Sequence, residues 1–248
     1  MLEAYADDPD YVSDTTLSVE ELKNFLIELH EAQLDLHVHV IGNLATKRVL
    51  DAVEQARAEV GNDFYPRVSL GHLQTVDPGD WPRFRELGVS ANFTPWWSGV
   101  MDPDPMGAGL YEEHDRAQFR AKAIADAGGN VTFSSDTWNL RNLSPYLGMQ
   151  VGHTRQFPRE WLTPGQDPDA ILHPEAEMMP IDLLIQGYTL NGAYQLRMED
   201  SIGSIETGKA ADLVILGDDL FDIDRYAIHK IQPDAVVMDG ELMNGNPD

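Results

Sequence analysis

The 248-residue sequence contains no cysteine. It therefore has no disulfide bond, no thiolate metal ligand and no cysteine nucleophile. A metal site in this chain must use His, Asp, Glu or a modified Lys. Basic residues are also few, with 17 Lys and Arg against 42 Asp and Glu, so the formal net charge is −25. A field of that sign repels nucleic acids and anionic membrane surfaces, and we expect neither as a partner.

Long hydrophobic runs are absent as well. No apolar stretch approaches the ~20 residues of a membrane-spanning helix. The opening MLEAYADDPDYVSD has no basic segment followed by an apolar run, so we expect no signal peptide and a cytoplasmic location. The length and the 42% apolar content allow a full hydrophobic core in one large domain or slightly more.

The stretch LDLHVHVIGN, residues 34–43, is the starting point for a functional interpretation. Apolar residues alternate with His37 and His39, and the pattern breaks at Gly42. This is typical of a buried strand that ends in a turn. Residues two apart in a strand share a face, so the two histidines could share one site.

Strand and helix patterns alternate four times along the chain. Residues 1–15 are predicted to form a loop, and Ser18 and Glu21 a capping box at the start of the first helix. Strands are predicted at 34–41, 67–70, 89–93 and 131–133, and helices at 18–29, 43–60, 77–87, 114–127 and 180–196, with a long irregular region at 139–179. Short strands at 213–216 and 235–238 follow, the second ending in an Asp239-Gly240 turn. The rhythm predicts an α/β fold of the (β/α) barrel type, in which chemistry takes place at the C-terminal ends of the strands.

Three polar residues mark the predicted strand ends: His39, His72 and Asp136. Imidazole and carboxylate groups together suit zinc, iron or manganese, and the carboxylate could also accept a proton from an attacking water. Taken singly, each histidine could instead be a hydrogen-bonded core residue. His37 lies about 6–7 Å deeper along its strand than His39, and we interpret it as structural.

Tryptophans follow two of the predicted strand ends. Trp96, Trp97 and Trp138 are candidates for lining a substrate pocket, and the alternative is that they cover the open end of the core.

Five stretches resemble the amidohydrolase superfamily, in the branch called amidohydrolase family 3 or YtcJ-like. Residues 39–43, HVIGN, resemble its HAIGD stretch, and residues 67–74, RVSLGHLQ, resemble its RIEHAQ element. Ser135-Asp136 is similar to its GSD, and residues 188–193, YTLNGA, to its YTxNxA helix. Residues 203–214, GSIETGKAADLV, resemble the specific GSLEPGKxADLVVL element that opens the C-terminal part of a β-sandwich domain.

The resemblance implies a metal-dependent hydrolase that acts on amide or other non-peptide C–N bonds of a small-molecule substrate. It assigns His39, His72 and Asp136 to the metal centre, which would hold zinc, with iron or manganese as alternatives. Asp136 would also act as the general base towards the attacking water. Residues 1–202 would form strands five to eight of the barrel with their helices, and 203–248 the C-terminal part of the sandwich.

The chain also departs from the family pattern. Gly71 stands where the family usually has Glu, Asn43 where it has Asp, and Ser134 where it has Gly. The pattern begins about halfway through, so the first four strands, their HxH pair and any bridging carboxylated Lys or Glu have no counterpart here.

Four parallel strands cannot close a barrel, and both outer strands would carry unpaired edges next to an exposed apolar interior. Three arrangements are open: a second chain supplies the N-terminal half, two copies of this chain pair, or the chain is a fragment of a longer protein. The rival functional interpretations are a non-catalytic interaction subunit that keeps the fold, and an unrelated α/β binding protein.

Overall fold

A computed structural model describes residues 1–100, 118–137 and 144–245. The chain divides into two compact units. The first comprises Met1–Phe93 with the described part of Met101–Val131, and the second comprises Thr94–Val100 with the described part of Thr132–Asp248.

The first unit alternates strands and helices in the predicted order. Its elements are α1 (Val19–Ala32), β1 (Leu36–Val40), α2 (Asn43–Val60), β2 (Val68–His72), α3 (Trp81–Leu87), β3 (Ser90–Phe93) and α4 (Ala121–Asp126). The strand β4 (Asn130–Phe133) spans the division between the units. The sheet has the order β1-β2-β3-β4, and β1, β2 and β3 pair in parallel. The predicted α/β fold with its four successive strands is confirmed.

Local sequence signals explain where several of these elements begin and end. The Ser18 side chain accepts a hydrogen bond from the Glu21 backbone N–H, and the Glu21 carboxylate accepts one from the Ser18 N–H, which is the predicted capping box. Asp77 caps a 3-10 turn, Pro78–Asp80, that leads directly into α3. Gly88, at φ 63°, ends α3 in a conformation that glycine adopts without strain.

The two faces of this sheet differ in chemistry. The parallel register pairs His37 with Ser69, His39 with Gly71, Ser69 with Ser90 and Gly71 with Asn92. Paired residues and residues two apart share a face, so all of these positions lie on one polar side of the sheet. The other side carries buried apolar residues, namely Val40, Val68, Leu70, Val89, Ala91 and Phe93. The side predicted to form the barrel interior thus carries histidines and small polar residues, of which Ser69, Ser90 and Asn92 are buried.

The described part of the second unit contains three α-helices and a separate sheet. The helices are α5 (Pro145–Thr154), α6 (Ile181–Tyr188) and α7 (Leu190–Gln195). The sheet is antiparallel, with the order β5 (Leu213–Leu216), β6 (Pro233–Met238) and β7 (Glu241–Gly245). Asp239 and Gly240 have φ values of 49° and 79° and form the predicted two-residue turn between β6 and β7.

Three helix predictions require correction. The region 139–179, predicted to be irregular, contains α5. Its glycines, Gly148 and Gly152, lower the helical propensity but leave room for Tyr188 and Met179, which would lie 2.0 and 2.7 Å from added Cβ atoms. The helix predicted at 180–196 is broken at Thr189, whose φ and ψ are −125° and −94°.

The described part of the helix predicted at 114–127 is helical only over α4. Across residues 1–100, 118–137 and 144–245, no helix combines the length and the apolar character needed to cross a membrane.

Candidate functional site

The imidazoles of His39 and His72 lie side by side at the C-terminal ends of neighbouring strands. Their ring centroids are 4.6 Å apart and the ring planes make an angle of 63°. His39 is the fourth residue of β1 and His72 is the last residue of β2. The structure therefore places these two predicted strand-end residues next to each other, and their role as metal ligands stays a prediction.

An unusual backbone conformation accompanies this approach. The register pairs His72 with Val40, so regular strand geometry would send His72 and His39 to opposite faces. Instead, His72 and Leu73 have φ values of 76° and 53°. The Leu73 N–H donates to the carbonyls of both Val40 and Gly71, at 2.9 and 3.2 Å, so the chain turns sharply at His72. Positive φ is uncommon outside glycine and is concentrated at functional sites.

The donor chemistry of this pair fits a divalent transition metal. Two imidazoles bound to one tetrahedral ion at about 2.1 Å would have their ring centres about 5 Å apart. The observed 4.6 Å is close to that value. Within the described parts of the chain, no group of three or more His, Asp or Glu side chains is arranged to hold a metal. The pair can therefore supply two ligands, and a complete site needs further ones.

The His37 ring packs against Gly71 of β2 and is not part of the His39–His72 pair. A Cβ at Gly71 would lie 3.0 Å from the His37 Nε2, so the missing side chain of Gly71 makes room for the His37 ring. Desolvation against the strand lowers the pKa of His37 below its ordinary value. The ring packs on a glycine, but His37 is exposed rather than buried, and its structural role stays a prediction.

Asp136 belongs to the second unit and follows β4 by three residues. Its carboxylate is exposed, and its φ of 43° is in the left-handed region that aspartate tolerates better than most residues. The carbonyl of Ser135, immediately before it, accepts a hydrogen bond of 2.8 Å from the indole Nε1 of Trp96.

The other predicted pocket residues have different surroundings. Trp96 and Trp97 lie in the 3-10 helix Pro95–Ser98, with ring centroids 6.1 Å apart in an edge-to-face arrangement. Trp138 lies outside the described residues.

The N-terminal segment, predicted to be a loop, forms one wall of a partly open cavity of about 370 Å³ in the first unit. The cavity lies beside β1, and its polar lining includes Tyr5, Ser13, Asp14, His39 and Arg48. The Arg48 guanidinium binds the Asp14 carboxylate and the Thr15 hydroxyl. Hydrogen bonding to the Thr15 backbone N–H and to Arg48 lowers the pKa of Asp14.

Sequence reasoning did not identify Tyr5, Asp14 or Arg48. Asp14 and Arg48 are 34 residues apart, and no local pattern relates them. The one signal in the sequence is that residues 2–7, LEAYAD, resemble a loop of the amidohydrolase branch named above.

Comparison with known proteins identifies the family. The sequence profile described as "Amidohydrolase family" matches residues 1–243. The chain is 25% identical over 244 residues to the putative amidohydrolase YtcJ of Bacillus subtilis (strain 168), covering 97% of this chain and 43% of that protein. It is 27% identical to the N-substituted formamide deformylase of Arthrobacter pascens, covering 94% of this chain and 40% of that enzyme.

A solved structure shares the fold. An uncharacterized metal-dependent hydrolase from Pyrococcus horikoshii OT3 superposes with a TM-score of 0.70 at 21% identity, covering 90% of this chain and 42% of that protein. The chain thus spans less than half the length of each of these three proteins. With a profile match over nearly its whole length, the chain belongs to the amidohydrolase family.

Proposed function

We propose that this chain carries the C-terminal half of the active site of a metal-dependent hydrolase that cleaves a non-peptide C–N bond. The observation that carries the proposal is the pair His39 and His72, whose imidazoles lie 4.6 Å apart at the ends of adjacent strands. The family supports hydrolysis, and the ligand type favours zinc over calcium or magnesium.

In this proposal His39, His72 and Asp136 have the following roles. His39 and His72 hold a divalent ion, which supplies Lewis acidity and makes a nearby water more acidic. Asp136 is the third ligand of that ion in this proposal, and it also accepts the proton of the attacking water and returns it to the departing nitrogen. The exposed carboxylate of Asp136 suits proton exchange, and its position directly after β4 is that of a catalytic residue in a parallel barrel.

The name of one relative supports a proposal for the substrate class. One relative is named as a deformylase of N-substituted formamides. We propose that this protein likewise acts on a small amide, with Trp96, Trp97 and Trp138 as candidates for the pocket wall.

We further propose that a strand from outside this chain completes the site by pairing with β1. β1 is at the edge of its sheet, and Leu36 and Val40 exchange backbone hydrogen bonds with the β2 side. Because backbone groups alternate in direction along a parallel strand, those of His37 and His39 point away from β2. The N-terminal half of the family's barrel, on a second chain or on a longer form of this one, has the strand that fits.

Metal content and assembly state test these proposals together. Native mass spectrometry of the protein as purified is expected to show a second, distinct chain with at least one metal ion retained. His39→Asn and His72→Asn should each remove the metal, because asparagine tolerates positive φ but lacks the imidazole. His37→Asn is the matched control from the same strand and should retain it.

Hydrolysis of an N-alkylformamide by the same assembly tests the reaction. Asp136→Asn is expected to abolish turnover while leaving the unfolding midpoint nearly unchanged. Full activity of Asp136→Asn would refute the role of this residue. A metal-free single chain or homodimer would refute the shared site and would favour a non-catalytic subunit.

A further inference from the structure

We infer that Trp96 is a positioning residue for Asp136, an inference that rests on the proposed function. Its indole N–H donates a 2.8 Å hydrogen bond to the carbonyl of Ser135, the residue directly before Asp136. This carbonyl belongs to the peptide group that carries the backbone nitrogen of Asp136. The bond therefore fixes one side of the peptide from which the carboxylate extends.

The peptide needs such a support because regular structure ends before it. β4 ends at Phe133, and residues 134–137 have no helical or strand hydrogen-bonding pattern. Asp136 also has a φ of 43°, a conformation that costs energy for a residue with a Cβ. A strand-end carboxylate in this conformation keeps one orientation only if neighbouring groups hold its backbone.

The 3-10 helix that carries Trp96 is packed at both of its ends. It lies in the 3-10 helix Pro95–Ser98, in which the Trp97 N–H donates to the Thr94 carbonyl at 2.9 Å. Pro95 is buried against α5, where Cβ atoms added at Gly148 and Gly152 would lie 3.7 and 3.4 Å from the Pro95 Cβ. The C-terminal end of this 3-10 helix is packed in a similar way.

At that end, an added Cβ at Gly99 would lie 3.0 Å from the ring of Phe157. Phe157 stacks on Trp161 with their centroids 6.2 Å apart. The 3-10 helix that carries the Trp96 indole therefore packs against α5 and Phe157. The hydrogen bond from that indole connects this packed segment to the loop that bears Asp136.

This arrangement gives Trp96 a different task from lining a pocket. If it only lined a pocket, its ring surface would matter and its N–H would not. If it positions Asp136, the N–H matters and a ring of similar shape without it is insufficient. Trp96→Phe separates the two, because it keeps an aromatic ring and removes the donor.

A matched control exists in the first unit. The indole N–H of Trp81 is buried and has no hydrogen-bond partner within the described ranges. Trp81→Phe therefore makes the same chemical change without removing a hydrogen bond.

The first experiment measures the hydrogen bond directly. The protein is labelled uniformly with ¹⁵N, and exchange of the indole protons with D₂O is followed by NMR, with the Trp96 signal assigned by its loss in Trp96→Phe. We expect slow exchange at Trp96 and a shifted Asp136 backbone amide signal in Trp96→Phe but not in Trp81→Phe. Exchange at the rate of an exposed indole, or an unmoved Asp136 amide, overturns the inference.

The second experiment tests the consequence for the site, using zinc chloride as the probe in calorimetric titrations of the purified full assembly. Trp96→Phe is expected to weaken zinc binding about 3- to 10-fold, the range of one hydrogen bond. Trp81→Phe should leave zinc binding unchanged. Loss of one hydrogen bond lowers the unfolding midpoint of a protein of this size by about 2–4 °C, so Trp96→Phe should shift the midpoint by no more than that. A purely structural role would lower the midpoint without weakening zinc binding.

The proposed function and the positioning role of Trp96 can be refuted independently of each other. If Asp136→Asn binds zinc as tightly as the unaltered protein, the proposed function is wrong at Asp136, and the exchange experiment alone decides whether Trp96 holds its peptide. If Asp136→Asn weakens zinc binding and Trp96→Phe does not, the positioning role is refuted while the proposed function stands.

Discussion

Gly148 and Tyr188 should show a strong energetic coupling. Gly148 lies in α5, and a Cβ at this position would be 2.0 Å from the Tyr188 Oη and 3.3 Å from its Cζ. Carbon and oxygen atoms in close contact are usually about 3.3 Å apart or more, so the phenol would have to move by more than about 1 Å. The effect of Gly148→Ala should therefore depend on the hydroxyl of Tyr188.

The expected magnitude follows from two opposing terms. Overpacking a well-packed contact costs about 1–3 kcal/mol, whereas replacing a helical glycine by alanine gains up to about 1 kcal/mol. Gly148→Ala should thus destabilise the protein by about 1–2 kcal/mol. In a Tyr188→Phe background the Oη is gone, the nearest remaining atom is at 3.3 Å, and the same substitution should be neutral or stabilising.

Urea denaturation of the four proteins of this double-mutant cycle measures the coupling. Gly152→Ala serves as the control, because its added Cβ would meet the Met179 Cε at 2.7 Å rather than Tyr188. Its cost should be the same in both backgrounds. If Gly148→Ala also costs the same in both backgrounds within about 0.5 kcal/mol, the steric explanation of this glycine is refuted.

Three further predictions concern stability. Ser18→Ala removes the capping hydrogen bond of α1 and should cost about 1 kcal/mol in urea denaturation, with Ser18→Asp restoring most of the loss. Gly240→Ala should lower the free energy of unfolding by about 1 kcal/mol for conformational reasons alone, because φ is 79° and nothing lies within 4 Å of the added Cβ. Gly240→Asn should cost less, and equal costs would argue against a conformational origin. The His229 imidazole, whose Nε2 is 2.6 Å from the Glu160 Oε1, holds the pKa of Glu160 below its ordinary value of 4.5, so this contact stabilises the fold above pH 4.5 and is lost as the pH falls further. Glu160→Gln should accordingly flatten the dependence of the melting temperature on pH below 4.5, and an unchanged slope there would contradict the assignment.

Elements with a strong local pattern could be predicted from the sequence. The alternation around His37 and His39, the capping box at Ser18 and the turn at Asp239-Gly240 all depend on residues within a few positions of one another. Local physical chemistry decides these features, and the structure has them where the sequence placed them. The long helix α2, predicted at 43–60, also has the predicted bounds.

Features that depend on distant residues could not be predicted. The helix α5 contains Gly148 and Gly152, which resemble loop residues until the side chains of Tyr188 and Met179 are known to fill their space. The 4.6 Å approach of His39 and His72 was expected from strand ends, but the sharp turn at His72 that permits it was not. The sequence does not predict this turn, because the preference of histidine for positive φ is too weak to indicate one.

The contrast between the two sides of the parallel sheet bears on how this protein can change over generations. Val40, Leu70 and Ala91 are completely or almost completely buried on one side, and substitutions there disturb packing that the whole unit shares. Ser69, Ser90 and Asn92 on the other side are small, buried polar residues. Substitutions there alter hydrogen bonds on that side of the sheet rather than the apolar packing of the unit. Mutation and selection can therefore act on the chemistry of this side largely independently of the fold. Changes at these positions can alter the polar side of the sheet while the helices and their contacts stay as they are.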